Sequence, residues 1–183
     1  YTEVEKALEN NYKKLTVGPA IEDFDVGPLI SNKQIDIVKK YLNSGSNLKK
    51  IAEAKLNDKQ VYEGFFISPT LFGEVDPNHV LAQEEIFGPV QVLIPFDSEE
   101  EAIKIANDTK FGLVAGIWTN DGSRQLRMAK KLRAGQVFIN NYGAGGGVEL
   151  PFGGTGHSGF GREKGLEALN SFSTLKTIAI NHG

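Results

Sequence analysis

Between residues 90 and 140 three short apolar runs alternate with two amphipathic helical patterns, and no other feature restricts the fold as tightly. Residues 90–96, 113–119 and 136–140 read as strands. Their near-continuous apolar character implies a sheet covered on both faces. Ser98 with Glu101 forms a capping box, and Ala102, Ile105 and Ala106 follow on the buried face of a helix. Asn120-Asp121-Gly122 turns the chain. Leu126, Met128, Ala129 and Leu132 belong to a basic helix ending at Gly135, a natural residue for a left-handed helix terminus. Strand–helix–strand–helix–strand order implies parallel strands joined by right-handed crossovers. The expected class is α/β: a mostly parallel sheet with flanking helices in three layers.

The flanking segments are read in the same way. Val4, Ala7, Leu8, Tyr12 and Leu15 share one face of a first helix, which Gly18-Pro19 ends. Ser31 is a good N-cap for a second, whose buried stripe is Ile35, Val38, Tyr41 and Leu42. Asn43-Ser44-Gly45-Ser46-Asn47 is a loop. Residues 49–55 fit a strand, with a helix also open, and 64–72 form a β-rich apolar segment broken by Pro69. Glycine crowds residues 143–161. Such a stretch builds no core alone and serves close backbone approach to a ligand, a loop or a partner. A helix over 162–171 and an alternating terminal strand over 174–180, with nothing after it to cover it, close the chain.

Twenty basic and 23 acidic side chains leave a net charge of −3, which argues against a dedicated nucleic-acid binder. No run approaches the roughly 18 apolar residues of a membrane-spanning helix, and no secretory signal opens the chain. Neither nucleic acid nor membrane is an expected partner. The chain contains no cysteine. Disulfides, thiolate metal sites and a cysteine nucleophile are therefore excluded within these residues, and a cytoplasmic setting is expected. His79, His157 and His182 lie far apart, none at metal-helix spacing, so no metal is expected.

Several motifs carry potential chemistry. Gly154-Thr155-Gly156-His157-Ser158-Gly159 matches the glycine pattern of a dinucleotide fingerprint. Pro151 spoils the preceding strand, and no carboxylate ends the next one, so a loop shaped for backbone contact is preferred. Gly156-His157-Ser158-Gly159-Phe160 fails as a nucleophile elbow because Phe160 stands where glycine is required. In Gln83-Glu84-Glu85-Ile86-Phe87-Gly88-Pro89, adjacent side chains of an extended segment point to opposite sides. One carboxylate can then face a cavity and accept hydrogen bonds from a sugar diol; a salt-bridged turn fits the spacing too. Glu163 suits the first turn of the last helix, where the helix dipole favours a carboxylate.

These segments resemble the NAD(P)-dependent aldehyde dehydrogenase superfamily. The resemblance rests on Gly27-Pro28-Leu29-Ile30-Ser31, on Gly64-Phe65-Phe66-Ile67-Ser68-Pro69-Thr70, and on Gln83 through Val90. It continues through Pro151-Phe152-Gly153-Gly154, Ser158-Gly159-Phe160-Gly161-Arg162-Glu163, and Phe172 with Lys176-Thr177. The motifs fall in family order along the whole chain. The resemblance implies a cofactor, NAD or NADP, and a small aldehyde as substrate. Glu85 resembles the glutamate that binds the nicotinamide ribose hydroxyls, and Phe87 the aromatic near the nicotinamide. Phe152 resembles a residue of the aldehyde channel, whose mouth the 140–149 loop, including Tyr142, would line. Glu163 resembles a catalytic-site carboxylate that manages an ordered water.

The same resemblance divides the chain into a catalytic-domain portion, 1–172, and an oligomerisation arm, 173–183, whose strand would pair with a neighbouring copy in a homo-oligomer. It also exposes a departure. The family attacks aldehydes with a cysteine thiolate, forming a thiohemiacetal, and no cysteine is present here. The expectation is the C-terminal part of such an enzyme, its nucleophile, general base and oxyanion asparagine lying upstream, with these residues alone inactive. The alternative is a truncated or degenerate interaction and assembly module.

Overall fold

Ser31 starts the helix its sequence position announces. In the computed structural model, which describes residues 1–56, 64–142 and 147–183, its Oγ accepts a hydrogen bond from the Gln34 N–H at 3.3 Å. Helix α2 (Asn32–Ser44) follows. Residues 143–146, the centre of the expected channel-mouth loop, lie outside the described residues. The chain forms two units, Tyr1–Phe96 and Asp97–Gly183.

In the first unit, α1 (Thr2–Tyr12) precedes α2, and a three-stranded sheet follows in the order β1-β2-β3. Strand β1 (Lys49–Glu53) pairs antiparallel with β2 (Thr70–Gly73), which pairs parallel with β3 (Val90–Val92). Every residue of β2 is buried. Helical periodicity places Ile35 and Val38 of α2 in a core with Ile67, Phe72, Val75, Leu81 and Ile86. Burial of each large apolar side chain contributes about 1.5–3 kcal/mol. A single turn, α3 (Val80–Gln83), joins them, with His79 Nδ1 accepting from the Leu81 N–H at 3.2 Å.

Helix α1 is shorter than expected. It stops at Tyr12 rather than at Gly18-Pro19, because the Asp25 carboxylate accepts from both the N–H and the hydroxyl of Thr16, at 2.8 and 2.7 Å. Val17 is then drawn into a parallel bridge with Val26. Of the expected face, Leu8, Tyr12 and Leu15 are half-buried, while Val4 and Ala7 are exposed.

The second unit holds a βαβ element: β4 (Val114–Ile117), α5 (Gly122–Lys131) and β5 (Gln136–Ile139), the strands parallel and in register from Val114 opposite Gln136. Half of the expected capping box forms before α4 (Glu99–Asn107): the Glu101 N–H donates to Ser98 Oγ at 3.1 Å, while Glu101 Oε2 accepts from the N–H of Asp97, one residue before the cap, at 2.8 Å. The buried position of α4 is Ile103, with Ala102 and Ile105 half-buried and Ala106 exposed. Asp121 caps α5 by accepting from the Ser123 and Arg124 N–H groups.

The class is α/β with mostly parallel pairing, as the sequence implies. The three consecutive strands are nevertheless divided between two sheets: β3 pairs with β2, and β4 pairs with β5. The last helix also differs: α6 (Glu167–Ser171) begins five residues after Arg162. Lys164 and Gly165 have φ of 63° and 58°, and successive left-handed residues cannot continue a right-handed helix. Residues 174–180 form no strand in the single chain; they find no ladder partner among the described residues.

Candidate functional site

The Glu84–Pro89 segment leaves α3 in an extended conformation, with Glu84 at φ −107° and ψ 150°. Burial then alternates. Glu85 is exposed, Ile86 is inserted into the core, and Phe87 is 73% exposed. Glu85 makes no hydrogen bond or ion pair among the described residues. Phe87 has φ 54°, a left-handed conformation that costs a residue with a Cβ roughly 1–2 kcal/mol. A strained, solvent-facing aromatic contributes little to packing, and such strain persists where the surroundings enforce it.

The enforcing group is Gln34, which sequence reasoning missed. Its Nε2 donates to the carbonyls of Ile86 and Phe87 at 2.9 and 3.2 Å. Ser31-x-x-Gln34 has capping-box spacing, which predicts a side chain reaching back to the helix start; the amide reaches the loop instead. Gly88 permits this approach, since a Cβ there would lie 2.5 Å from Val38 Cγ2. Chemically, the turn offers a carboxylate with open lone pairs beside an exposed ring. Such a carboxylate can accept hydrogen bonds from a pair of hydroxyls.

In the second unit Phe152 and Glu163 are brought together. The Phe152 N–H donates to the Glu163 carbonyl at 2.7 Å, and the Glu163 N–H returns to the Phe152 carbonyl at 2.8 Å. Glu163 therefore lies in a bridge, not in the first turn of a helix. A cleft of about 400 Å³ is lined by Phe152, Phe160, Arg162, Glu163 and Phe172, among others. Arg162 Nη1 donates to the carbonyls of Gly154 and Gly161 at 3.0 and 2.6 Å, and Lys164 Nζ stands 5.6 Å from the centre of the Phe152 ring. Tyr142 is exposed and is not among the cleft residues. Two residues before it, Asn140 accepts from the Thr119 N–H and donates to the Thr119 carbonyl, at 2.9 and 3.0 Å, fixing the base of that loop.

The glycine pattern at 154–159 folds into a 3-10 turn, Gly156–Ser158. Its amides serve the protein: His157 donates to the Lys110 carbonyl at 2.8 Å and Thr155 to the Gly112 carbonyl at 3.0 Å. Ser158 Oγ accepts from the Gly112 N–H at 3.1 Å. A phosphate-binding loop would aim such groups at a ligand; this one docks on a neighbouring segment. His157 packs edge-on against Phe111.

An ion-pair cluster lies between α4 and α5. Arg127, with Arg124 beside it, hydrogen-bonds the Glu99 carboxylate and holds its pKa at about 2. That pair ties two helices and does not line the cleft.

A sequence model of the aldehyde dehydrogenase family matches residues 1–178. Over 156 residues the chain is 44% identical to the NADP/NAD-dependent aldehyde dehydrogenase PuuC of Escherichia coli (strain K12), covering 85% of this chain and 31% of that protein. It is 39% identical over 185 residues to betaine aldehyde dehydrogenase of Rhizobium leguminosarum bv. trifolii, covering 100% of this chain and 38% of that one. Among solved structures, a putative aldehyde dehydrogenase from Burkholderia cenocepacia superposes with a TM-score of 0.93 at 53% identity, covering 100% of this chain and 39% of that one. The Mycobacterium tuberculosis aldehyde dehydrogenase complexed with NAD+ gives 0.90 at 38% identity, with 100% and 38% covered. The chain spans 31% and 38% of the lengths of these two curated relatives.

Proposed function

The chain belongs to the aldehyde dehydrogenase family, and on that premise we propose that it forms one wall of the reaction chamber of an NAD(P)-dependent enzyme that oxidises an aldehyde to a carboxylic acid. The observation that carries the proposal is the Glu85–Phe87 turn: an exposed carboxylate with no partner among the described residues and a strained, exposed ring, on either side of a buried Ile86.

Glu85 would accept hydrogen bonds from the two hydroxyls of the nicotinamide ribose. Phe87 would pack beside the nicotinamide and fix its depth. Bound there, NAD or NADP supplies hydride acceptance from the substrate carbon. Phe152 would line the aldehyde path, with Tyr142 at its mouth, and Glu163 would orient the water that completes acid formation. The covalent attack is assigned to a thiolate outside these 183 residues, because they contain no cysteine. Residues 173–183 would serve as an arm that pairs with a second copy. Their exposed Leu175, Ile178 and Ile180 support that assignment, since an unpaired apolar segment is otherwise an aggregation liability.

The test is aldehyde-dependent NADH or NADPH formation. The full polypeptide carrying these residues is expected to reduce the cofactor, and the 183-residue chain alone is expected to give a flat trace. A folded, full-length protein inert toward every aldehyde offered would refute the oxidoreductase reading. Turnover by the 183 residues alone would refute the external thiolate.

A further inference from the structure

Strand β5 begins at Gln136, whose main chain is held in the ladder: its N–H donates to the Leu113 carbonyl at 3.1 Å, and it stands opposite Val114. From that fixed base its side-chain amide crosses to residue 151, where Nε2 donates to the Pro151 carbonyl at 3.0 Å. The Pro151 carbonyl and the Phe152 N–H share one peptide plane, and that N–H donates to the Glu163 carbonyl at 2.7 Å. The plane is held at both edges, so turning it would break both bonds. The next plane is held too, because the Phe152 carbonyl accepts from the Glu163 N–H at 2.8 Å. Together the two planes set φ and ψ of Phe152, and with them the direction in which its ring leaves the backbone. Gln136 itself is not among the cleft residues.

A carbonyl only accepts, so the Pro151 contact fixes which way the Gln136 amide faces. Its Oε1 is then buried, with no hydrogen-bond partner among the described residues. An unpaired buried acceptor costs stability, so the amide brings the fold a bond on one side and a penalty on the other. Orientation of the Phe152 peptide is the effect with no offset. We infer that Gln136 is a positioning residue for the aldehyde path: its amide fixes the Pro151–Phe152 peptide plane and so aims the Phe152 ring into the cleft. This rests on the reading of Phe152 given above. Gln136→Met keeps the length while removing both the donor and the unpaired oxygen. The Pro151 carbonyl becomes the unpaired acceptor in its place, so stability should change little while the plane is held at one edge only.

The experiment is a double-mutant cycle in the full-length protein: parent, Gln136→Met, Phe152→Ala and the double variant. Propanal, hexanal and benzaldehyde serve as probes, and KM is measured separately for aldehyde and cofactor beside a melting curve. Gln136→Met is expected to raise the aldehyde KM about fivefold, the scale of one lost hydrogen bond, with the cofactor KM and the thermal midpoint near the parent's. In the Phe152→Ala background the same substitution is expected to add nothing, since no ring remains to be aimed. An unchanged aldehyde KM in Gln136→Met would overturn the inference, as would equal effects in both backgrounds. Parallel rises in both KM values with a lowered midpoint would overturn it too, as general loosening. If Phe152→Ala changes the aldehyde KM and Gln136→Met does not, the positioning role alone falls. If Phe152→Ala leaves the aldehyde KM intact, or the parent is inert toward every probe, the reading of Phe152 falls and takes the positioning role with it.

Discussion

Phe152 and Glu163 exchange both of their backbone hydrogen bonds, at 2.7 and 2.8 Å, so a ring and a carboxylate 11 positions apart are held side by side by the main chain alone. Their side chains are therefore free to be changed without dissolving the link that places them.

That freedom makes Glu163→Gln informative. The carboxylate is exposed, and the bridge uses only backbone atoms. In the full-length protein the thermal midpoint is expected to stay within experimental scatter of the parent. Turnover is expected to fall about 100-fold or more if the carboxylate activates water as a general base. Steady-state kinetics beside a melting curve separate the two effects, and an unchanged kcat removes Glu163 from the mechanism.

Gly135 is predicted to tolerate no side chain. A Cβ there would stand against the Gly153 carbonyl oxygen, a backbone atom with no rotamer to yield. Gly135→Ala is expected to cost about 1–3 kcal/mol, as overpacking does, and to disturb Phe152 through the displaced Gly153. Chemical denaturation gives the first quantity; the aldehyde KM reports the second.

Ser98→Ala removes the acceptor for the Glu101 N–H at the start of α4. The expected loss is about 1 kcal/mol. Ser98→Asp, which restores an acceptor, is expected to recover it. Equal denaturation midpoints for Ser98→Ala and the parent would show that Asp97 and Glu101 hold the helix start unaided.

Acid should act through Glu99. Its pKa lies at about 2 in the fold against an ordinary 4.5, chiefly because Arg127 hydrogen-bonds the carboxylate. The fold thus favours the charged form, and its contribution to stability is complete above the ordinary value. It is lost as pH falls from about 4.5 toward about 2. Glu99→Gln is expected to be the less stable protein at neutral pH and to converge on the parent near the bottom of that window. Unfolding midpoints across the acid range test this; parallel curves would contradict it.

Local signals in the sequence were sufficient for helix starts, though not for the end of α5, which stops at Lys131 rather than at Gly135. Ser31 and Ser98 start helices, and β4, α5 and β5 form the expected parallel unit. Partnering was harder to read. The apolar run of β3 looks equally suited to β2 or β4, and periodicity says nothing about which edge it meets. Helix α1 was overextended because the Thr16–Asp25 bonds, which pull the chain straight after it, join residues with no periodic relation. Lys164 concealed the break before α6: it is not glycine, and its left-handed backbone is a property of the folded loop. Glu85 and Phe87 stand out in the sequence by their motif, and both are exposed in the fold. The reach of Gln34 to their turn is not legible, because a glutamine three residues after a serine already has a local explanation.

Phe87 has one more implication. Glycine or asparagine at that position would adopt the left-handed backbone with less strain, and the core would lose almost nothing, because most of the ring faces outward. The benzyl group there adds strain and little packing to the fold, so a single codon gives a protein engineer a sensitive place to separate durability from chemistry.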